Sequence, residues 1–543
     1  MPTLAKVCAG PWSGLVPERS SSRFSTGRHM GVLVPLFSIP SRSSWGIGEI
    51  PDLVRLARWV DRAGMDFVQI LPVNEMQDGQ NSPYSALSAM AIDPIFISLS
   101  DVEEHVAVEA ESLMPLDDLN RLEEARCAPA VLHPLVRALK QNALRDAFSR
   151  FERGDLKSHD SRALQFRDFT EREAWWLDDY ALFRALHEEH HGKYWLEWPP
   201  ALRDREPSAL SEADVRLEKA IRYYKYVQWV ADGQWQDARA ALAPVGIFGD
   251  FPFMVSAHSA DVWARQGEFR VDASVGVPPD AFSESGQDWG LPVYRWDVIA
   301  RTSYQWLRER ARRCAAMYDG FRVDHVVGFF RTFVRERDKR TYFVPASEAA
   351  QRDQGEALLD LFASCGSRII AEDLGTVPDF VRQSMSLRGV PGMQVLRWER
   401  EWSKRPHRFR DPGRYPPIGV ATTGTHDTET MAEWWDGADD DERRLLLDLP
   451  ALRTLDLDPD DRYSDTLRDA LLAMMTNANS DFVIFPIQDL FGWRDRINTP
   501  ASINNENWTW RLPMPVDDLM TRPDAVERSH FLRTAGRSHR REG

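Results

Sequence analysis

Eight short apolar stretches, separated by helical stretches, constrain the fold of this chain more than any other feature. They lie at residues 31–36, 66–73, 246–255, 318–324, 367–373, 392–398, 418–425 and 481–486. The first two are joined by an amphipathic stretch at 51–63, and a strand–helix–strand unit of this kind requires a parallel sheet. We therefore expect an α/β fold class, a (β/α)8 TIM-type barrel with its active site at the carboxyl ends of the strands.

Changes in composition and in helical periodicity along the chain predict its domain boundaries. Residues 1–29 are rich in Ser, Arg and Gly and are expected to form an N-terminal arm. Residues 30–515 are expected to form the catalytic barrel, interrupted at 101–240 by long polar helical stretches that read as an insertion subdomain. A long loop is predicted from 256 to 297, which in a compact domain is usually functional. The C-terminal tail is placed at 516–543.

One helix of the insertion carries aromatic residues at near-helical spacing. Trp175, Trp176, Tyr180 and Phe183 follow this pattern. The spacing favours a helix that packs onto the core over a stripe that binds a ligand.

The composition narrows the class of partner. The chain of 543 residues has a formal net charge of −16, so nucleic acid and anionic membrane surfaces are disfavoured. Aromatic residues make up 11% of the chain and include 20 tryptophans, which suits stacking on sugar rings, although most tryptophans belong to cores. A neutral partner fits these numbers best.

The cysteines and the hydropathy of the chain indicate the cellular compartment in which the protein is expected. The four cysteines lie far apart, without the paired spacing of a metal site or a disulfide framework. The first residues lack a sustained apolar segment, and no later stretch approaches the length of a membrane-spanning helix. The cytoplasm is the expected location. The oligomeric state is left open.

The fourth apolar stretch brings a base and an acid together. Alternation along residues 320–324 places Arg322 and Asp324 on one face of the predicted strand. A carboxylate beside a guanidinium is favoured in its ionised form and is ready to act as a nucleophile. The alternative for an isolated motif of this kind is a purely structural ion pair.

Further carboxylates follow two other predicted strands at the same face. Glu372 and Asp373 come after the fifth strand, and Asp427, next to His426, comes after the seventh. Two carboxylates that face each other across a sugar can serve as nucleophile and acid/base, and a third can bind ring hydroxyls. Because Glu has the longer reach, Glu372 is the expected acid. Asp373 could equally be a structural partner at the barrel rim and is left out of the catalytic set.

The motifs around these residues resemble the catalytic signatures of amylomaltases, the 4-alpha-glucanotransferases or disproportionating enzymes of the alpha-amylase clan. The central three are Gly-Phe-Arg-Val-Asp-His (320–325), Ile-Ala-Glu-Asp-Leu-Gly (370–375) and Thr-Gly-Thr-His-Asp (423–427). Others are Asn-Ser-Pro-Tyr (81–84), Gly-Asp-Phe-Pro-Phe (249–253), Ser-Ala-Asp-Val-Trp (259–263), Gly-Val-Pro-Pro-Asp-Ala-Phe-Ser (276–283), Pro-Gly-Met-Gln-Val-Leu (391–396) and Asn-Trp-Thr-Trp-Arg (507–511). The matches run in order from about residue 31 to 512.

The resemblance implies a role for each matched residue. Asp324 corresponds to the nucleophile, Glu372 to the general acid/base, and Asp427 to the carboxylate that grips donor-sugar hydroxyls and stabilises the transition state. The resemblance also implies substrate contacts. Arg322 keeps Asp324 ionised, and His426 and Tyr84 contact the donor sugar. Trp289 and Gln287 contact the substrate from the long loop. Asn498 is a further sugar contact, although an Asn before Thr-Pro could also be only a turn former.

The implied activity is transfer of alpha-1,4-glucan segments between maltooligosaccharides, with retention of configuration and with no metal or organic cofactor. Two alternatives remain: an alpha-glucan hydrolase on the same scaffold, and a non-catalytic glucan-binding barrel. The chain also departs from the family pattern at Val326 and Val327, at Thr428 and at Leu291. These departures bear on acceptor preference, glucan length and the balance of transfer against hydrolysis, and they leave the three carboxylates unchanged.

Overall fold

A closed barrel of eight parallel strands forms the centre of the molecule in the computed structural model. The structure describes residues 24–540 except 25, 108–113, 155, 157–160, 280–285, 501 and 503, with backbone alone at 537–540. In order around the barrel, the strands are β1 (His29–Leu33), β2 (Phe67–Gln69), β3 (Gly246–Phe251), β6 (Gly320–Val323), β9 (Arg368–Ala371), β10 (Gly392–Val395), β11 (Gly419–Thr422) and β12 (Phe482–Pro486). Each lies within or overlaps one of the eight predicted stretches, so the predicted fold class is confirmed.

Helices surround the barrel and follow its strands. They are Asp52–Arg62, Ala260–Ala264, Trp296–Arg301, Gln305–Met317, Val326–Phe330, Glu348–Ala363, Asp379–Leu387, Met431–Gly437, Asp440–Leu447, Asp465–Thr476, Ile487–Phe491 and Pro523–Arg540. The first of them begins after Pro51 and buries Leu53, Leu56 and Val60 on one face, as its spacing predicts. No described helix is both long and apolar enough to cross a membrane.

Aromatic rings fill the end of the barrel opposite the catalytic rim. The ring of Phe67 lies 4.4 Å from that of Phe248 and 6.0 Å from that of Phe482, between centroids. Phe24 packs edge-on against the same group, 5.1 Å from Phe248. Gly320 starts β6 beside this layer, and a Cβ there would stand 2.4 Å from the Phe248 ring. The packed layer therefore requires a residue without a side chain at position 320.

Strand register brings the carboxyl ends of β6 and β9 side by side. Val323 pairs with Ala371, and the next residues along the two strands are Asp324 and Glu372. The amide of Glu372 donates to the carbonyl oxygen of Val323 at 2.9 Å, which fixes this offset. Both carboxylates are thus delivered to the same rim of the barrel.

The segment between β2 and β3 is helical, as the sequence predicts. Its helices are Glu103–Val106, Leu116–Cys127, His133–Arg153, Ser161–Glu189, Pro200–Arg203, Pro207–Arg216 and Glu218–Ala241. Trp176, Tyr180 and Phe183 are buried, which agrees with the packing helix predicted from their spacing. A buried ion pair joins this segment to the barrel, with Lys140 Nζ 2.7 Å from Glu49 Oε1.

The prediction of a long loop at 256–297 is wrong for much of that range. It contains β4 (Phe269–Val277) and β5 (Gln287–Tyr294), which pair with β7 (Thr332–Glu336) and β8 (Thr341–Val344) in an antiparallel sheet of order β5-β4-β7-β8. Gly, Pro and Asp residues disguise these strands in the sequence, and β4 finds its partner β7 only after about sixty intervening residues. Part of the predicted motif at 276–283 lies outside the described residues.

The predicted C-terminal tail also needs correction. A 3-10 helix, Val516–Met520, is followed by the helix Pro523–Arg540, and both pack against the helix Asp52–Arg62. Trp59 Nε1 donates to the carbonyl oxygen of Ala525 at 2.9 Å, and Leu532 is fully buried. Ala525 and Leu532 are buried on one face of this helix, so the segment packs onto the barrel although most of its residues are polar. The predicted arm at 1–29 lies mostly outside the described residues, although His29 already belongs to β1.

Candidate active site

Arg322 joins the two carboxylates at the ends of β6 and β9. Its Nη2 atom lies 2.8 Å from Oδ1 of Asp324 and 3.6 Å from Oε2 of Glu372. The guanidinium is buried, with 7% of its side chain exposed, whereas 23% of the Asp324 side chain faces solvent. Arg322 and Asp324 therefore lie side by side as predicted, and Glu372 shares the same cation.

Glu372 lies in an environment that favours its protonated form. Its carboxylate accepts hydrogen bonds from the amides of His325 at 2.8 Å and Leu374 at 3.1 Å. His325 has a left-handed backbone, with φ of 44°. Burial raises the pKa of Glu372 to about 7, because it outweighs the opposing effects of Arg322 and of these two hydrogen bonds and is reinforced by the negative charge of Asp324. A carboxyl group with this pKa can donate a proton near neutrality.

Asp427 has the opposite electrostatic setting. Its Oδ2 lies 3.3 Å from Nε2 of His426, and its Oδ1 accepts a 2.6 Å hydrogen bond from Asn498. Burial acts to raise the pKa of Asp427, but the His426 and Asn498 contacts prevail and lower it to about 2. With 43% of its side chain exposed in the open cleft, Asp427 presents an ionised carboxylate to a ligand.

Asp250 is the residue that sequence reasoning missed. It follows Gly249 in β3, and its side chain is only 1% exposed. It accepts hydrogen bonds from Arg322 Nη1 at 2.9 and 2.8 Å and from the Tyr84 hydroxyl at 2.6 Å. The matched motif Gly-Asp-Phe-Pro-Phe at 249–253 was the signal, since it places a carboxylate next to the end of a barrel strand.

Tyr84 closes a continuous polar network across the barrel rim. Its hydroxyl lies 3.1 Å from Nε2 of His426, and its ring stacks on the His426 ring at 5.5 Å between centroids. Together with the contacts above, a chain of hydrogen bonds and ion pairs runs from Asn498 to Glu372. Trp508 adds a third ring, 5.8 Å from both Tyr84 and His426. Trp508 belongs to the matched motif at 507–511 but was given no role from the sequence.

Trp289 and Gln287 lie farther from this network. The Trp289 ring meets the His325 ring edge-on at 4.8 Å, which places it next to the residue that follows Asp324. The Gln287 side chain accepts from Trp289 Nε1 at 3.3 Å. Among the described contacts, Gln287 reaches the site only through Trp289.

Asp373 takes the structural role that was one of its two predicted alternatives. It accepts hydrogen bonds from the amide of Met393 at 2.8 Å and from Arg382 Nε at 3.0 Å. These contacts tie the end of β9 to β10 and to the following helix. Within the part of the chain that the structure describes, no group of three or more His, Cys, Asp or Glu side chains forms a metal-binding cluster.

A (β/α)8 barrel whose catalytic rim holds two neighbouring carboxyl groups that share one guanidinium is typical of enzymes that act on glycosidic bonds. A sequence model of the family described as 4-alpha-glucanotransferase matches residues 34–517. The chain is 30% identical over 498 residues to the 4-alpha-glucanotransferase of Chlamydia pneumoniae, covering 90% of this chain and 92% of the relative. It is 32% identical over 508 residues to that of Thermus thermophilus, covering 89% and 95%.

Solved structures agree with the sequence relatives. Amylomaltase from Streptococcus agalactiae in complex with acarbose superimposes with a TM-score of 0.79 at 25% identity, covering 95% of this chain and 100% of that one. The chain belongs to the 4-alpha-glucanotransferase family. Its enzymatic class is therefore glucan transfer, and nothing in these similarities favours the hydrolase or the non-catalytic barrel.

Proposed function

We propose that this enzyme transfers alpha-1,4-glucan segments between maltodextrins by a retaining, double-displacement mechanism. The observation that carries the proposal is the shared Arg322 nitrogen, 2.8 Å from Asp324 and 3.6 Å from Glu372. These distances bring the nearest oxygens of the two carboxyl groups closer together than the roughly 6.5 Å at which the separation typical of inverting enzymes begins. The arrangement supports a direct attack of Asp324 on the sugar.

In the first step, an Asp324 carboxylate oxygen attacks the anomeric carbon of the donor while the glycosidic bond breaks. Glu372, which its raised pKa of about 7 keeps partly protonated near neutral pH, gives its proton to the departing glycosidic oxygen. The product is a glucosyl ester on Asp324. In the second step, the ionised Glu372 takes the proton from the 4-hydroxyl of an acceptor glucan, which displaces Asp324 and restores the alpha linkage.

The remaining residues are proposed to hold the donor sugar. Asp427 accepts hydrogen bonds from two ring hydroxyls, which its low pKa permits at all pH values of interest. The stacked rings of Tyr84 and His426 supply a flat surface beside Asp427. Trp289 and Gln287 are proposed to contact the acceptor side, and Asn498 is proposed to hold Asp427 in position as well as to face the sugar.

Product analysis with maltotriose tests the activity. A transferase is expected to give a ladder of longer glucans together with glucose, whereas a hydrolase gives only maltose and glucose. NMR of the new linkages tests the mechanism, because double displacement must give alpha linkages. Newly formed beta linkages would exclude Asp324 as a nucleophile.

The proposed mechanism uses only groups of the chain itself. We therefore propose that it needs no metal or organic cofactor, and expect dialysis against EDTA to leave maltotriose turnover unchanged. The cytoplasm is the proposed compartment. Cys127, Cys314 and Cys365 are free thiols, which is common in reducing compartments.

A further inference from the structure

A groove apart from the catalytic carboxylates has the features of a second ligand site. It encloses a volume of about 680 Å³ between the helix Asp440–Leu447 and the segment 448–459. Five of its eleven lining residues are leucines and four are charged. The lining includes Pro406, Arg444, Leu452, Leu455, Leu457 and Pro459.

A hairpin that follows β10 contributes Pro406 to the lining of this groove and carries an exposed tryptophan four residues before it. Arg400 and Phe409 pair across the hairpin, and Trp402 near its tip is 62% exposed. The Trp402 ring lies 5.1 Å from the His407 ring, at an angle of 50°. Such exposure is costly for the largest apolar side chain in a water-facing loop, so a ligand that covers it would gain affinity.

The hairpin is fastened to the helix on the other side of the groove. Arg400 pairs with Glu442, and Arg408 pairs with Asp448. Arg400 is only 10% exposed and its guanidinium lies 3.7 Å from the centre of the Phe409 ring, so the base of the hairpin is fixed. The two walls are thus held at a set distance from each other.

The groove lies on the same side of the barrel as the active site. The hairpin leaves the carboxyl end of β10, and Arg397, at its start, donates a 2.8 Å hydrogen bond to Glu429. Glu429 is two residues beyond Asp427, and Arg496 lies 3.5 Å from Glu429 while also contacting the Asp427 carbonyl oxygen at 3.4 Å. One ligand molecule long enough to leave the catalytic cleft could therefore reach this face.

The charged residues that line the groove are balanced in number, with Asp441 and Asp448 against Arg444 and Arg453. Arg444 lies 3.6 Å from Asp441 and 3.8 Å from Asp440, and Arg408 is paired with Asp448. The groove is lined by leucines and by equal numbers of acidic and basic side chains, and the exposed indole of Trp402 lies on the adjoining hairpin. These features suit a neutral ligand with apolar faces and many hydroxyls. A polyanion would be repelled by the net charge of −16.

We propose that this groove binds an alpha-1,4-glucan chain outside the catalytic cleft, with Trp402 stacked on a sugar ring. The inference rests on the proposed function, since it assigns to the groove the polymer that the active site transforms. The groove would hold long glucans close to the active site and raise their local concentration.

Native gel electrophoresis with amylopectin in the gel tests this site. The proteins carry Glu372→Gln, so that the polymer is not altered during the run. Trp402→Ala should lower the apparent affinity for amylopectin roughly fivefold, which corresponds to the loss of one stacking contact. Leu455→Asp, which puts a charge among the leucines that line the groove, should act in the same direction. Leu387→Ala is the matched control, because Leu387 is 80% exposed on the helix Asp379–Leu387 and lies outside the groove.

Maltotriose turnover, measured with Glu372 intact, separates this inference from the proposed function. If the parent enzyme disproportionates maltotriose and both groove variants still bind amylopectin like the Leu387→Ala control, the second site is wrong while the proposed function stands. If the parent enzyme fails on maltotriose, the proposed function fails first. A groove that serves protein contacts would leave amylopectin retention unchanged in both variants, which also overturns the proposal.

Discussion

Asn498 donates a 2.6 Å hydrogen bond to Asp427 and thereby connects the loop after β12 to the loop after β11. From the sequence, Asn498 was either a sugar contact or a turn former. In the structure, the side-chain amide of Asn498 also holds the Asp427 carboxylate in place and helps to lower its pKa. Asn498 is 8% exposed, so this contact is shielded from water on most sides.

Replacing Asn498 should therefore weaken transition-state binding through Asp427. We expect Asn498→Ala to lower kcat/KM for maltotriose about 10- to 100-fold, since a hydrogen bond to a charged group is worth roughly 1.5–3 kcal/mol. The pKa of Asp427 should rise from about 2, because a contact that lowers it is lost, and the acid limb of the pH profile should move to higher pH. Asn505→Ala is the control, as Asn505 is exposed nearby. Unchanged kinetics in Asn498→Ala would show that the hydrogen bond has no catalytic role.

The raised pKa of Glu372 predicts the alkaline limb of activity. A general acid must be protonated, so kcat/KM for maltotriose should fall as pH rises through about 7. Alpha-maltosyl fluoride has a leaving group that needs little acid assistance, and its glycosylation step should lack this limb. An alkaline limb near 7 with both donors would assign it to another group.

Substituting the two catalytic carboxylates separately should separate their roles. Glu372→Gln is expected to form the glucosyl-enzyme from alpha-maltosyl fluoride and to accumulate it, because the second step also needs Glu372 as a base. Asp324→Asn should form no adduct with either donor. Losses of several orders of magnitude on maltotriose are expected for both variants, so intact mass spectrometry is the deciding measurement. An adduct on Asp324→Asn would overturn the assignment.

Asp250 should matter for stability as well as activity. Its side chain and that of Arg322 are buried, and removing one partner of a buried pair typically costs roughly 3–5 kcal/mol. Asp250→Ala should therefore lower the free energy of unfolding, measured with urea, by an amount of this order and should lose most activity. Asp250→Asn keeps the shape and should lose less stability. The exposed pair Arg340–Asp338 supplies the control, and Asp338→Asn should leave unfolding unchanged.

The pair Lys140–Glu49 should control how firmly the helical segment 101–240 holds to the barrel, which we propose to be a distinct subdomain. Lys140 Nζ also donates to the carbonyl oxygens of Ile95 and Ile97 at 2.7 Å. Lys140→Met should destabilise the protein by roughly 3–5 kcal/mol, because Glu49 is left buried without its partner. The double variant Lys140→Met with Glu49→Leu should recover much of this loss. Additive effects of the two substitutions would contradict a direct coupling.

The barrel and the principal site could be predicted from the sequence because their signals are local. Each barrel strand is a short apolar run; Asp324 and Glu372 come directly after β6 and β9, and Asp427 lies in the turn that follows β11. Parallel strands in a barrel share a catalytic rim, so position along the strand is enough to bring these carboxylates together. The motifs then related the set to a known family.

Other features could not be predicted because they depend on partners far away in the chain. Strand β4 pairs with its neighbour β5 and with the remote β7, and the helix Pro523–Arg540 packs against the helix Asp52–Arg62, so part of the support for each comes from far along the chain. The importance of Asp250 and Asn498 likewise arises from contacts with Arg322 and Asp427 on other strands and loops.

The sequence by itself determined the order of the strands, the ends at which the carboxylates lie and the chemistry these groups can perform. Only the tertiary structure decided their acidities, since burial and neighbouring charges are properties of the assembled rim. Glu372 and Asp427 are both carboxyl groups at strand ends, yet burial raises the pKa of one to about 7 and the pair formed with His426 lowers that of the other to about 2, against the effect of its own burial.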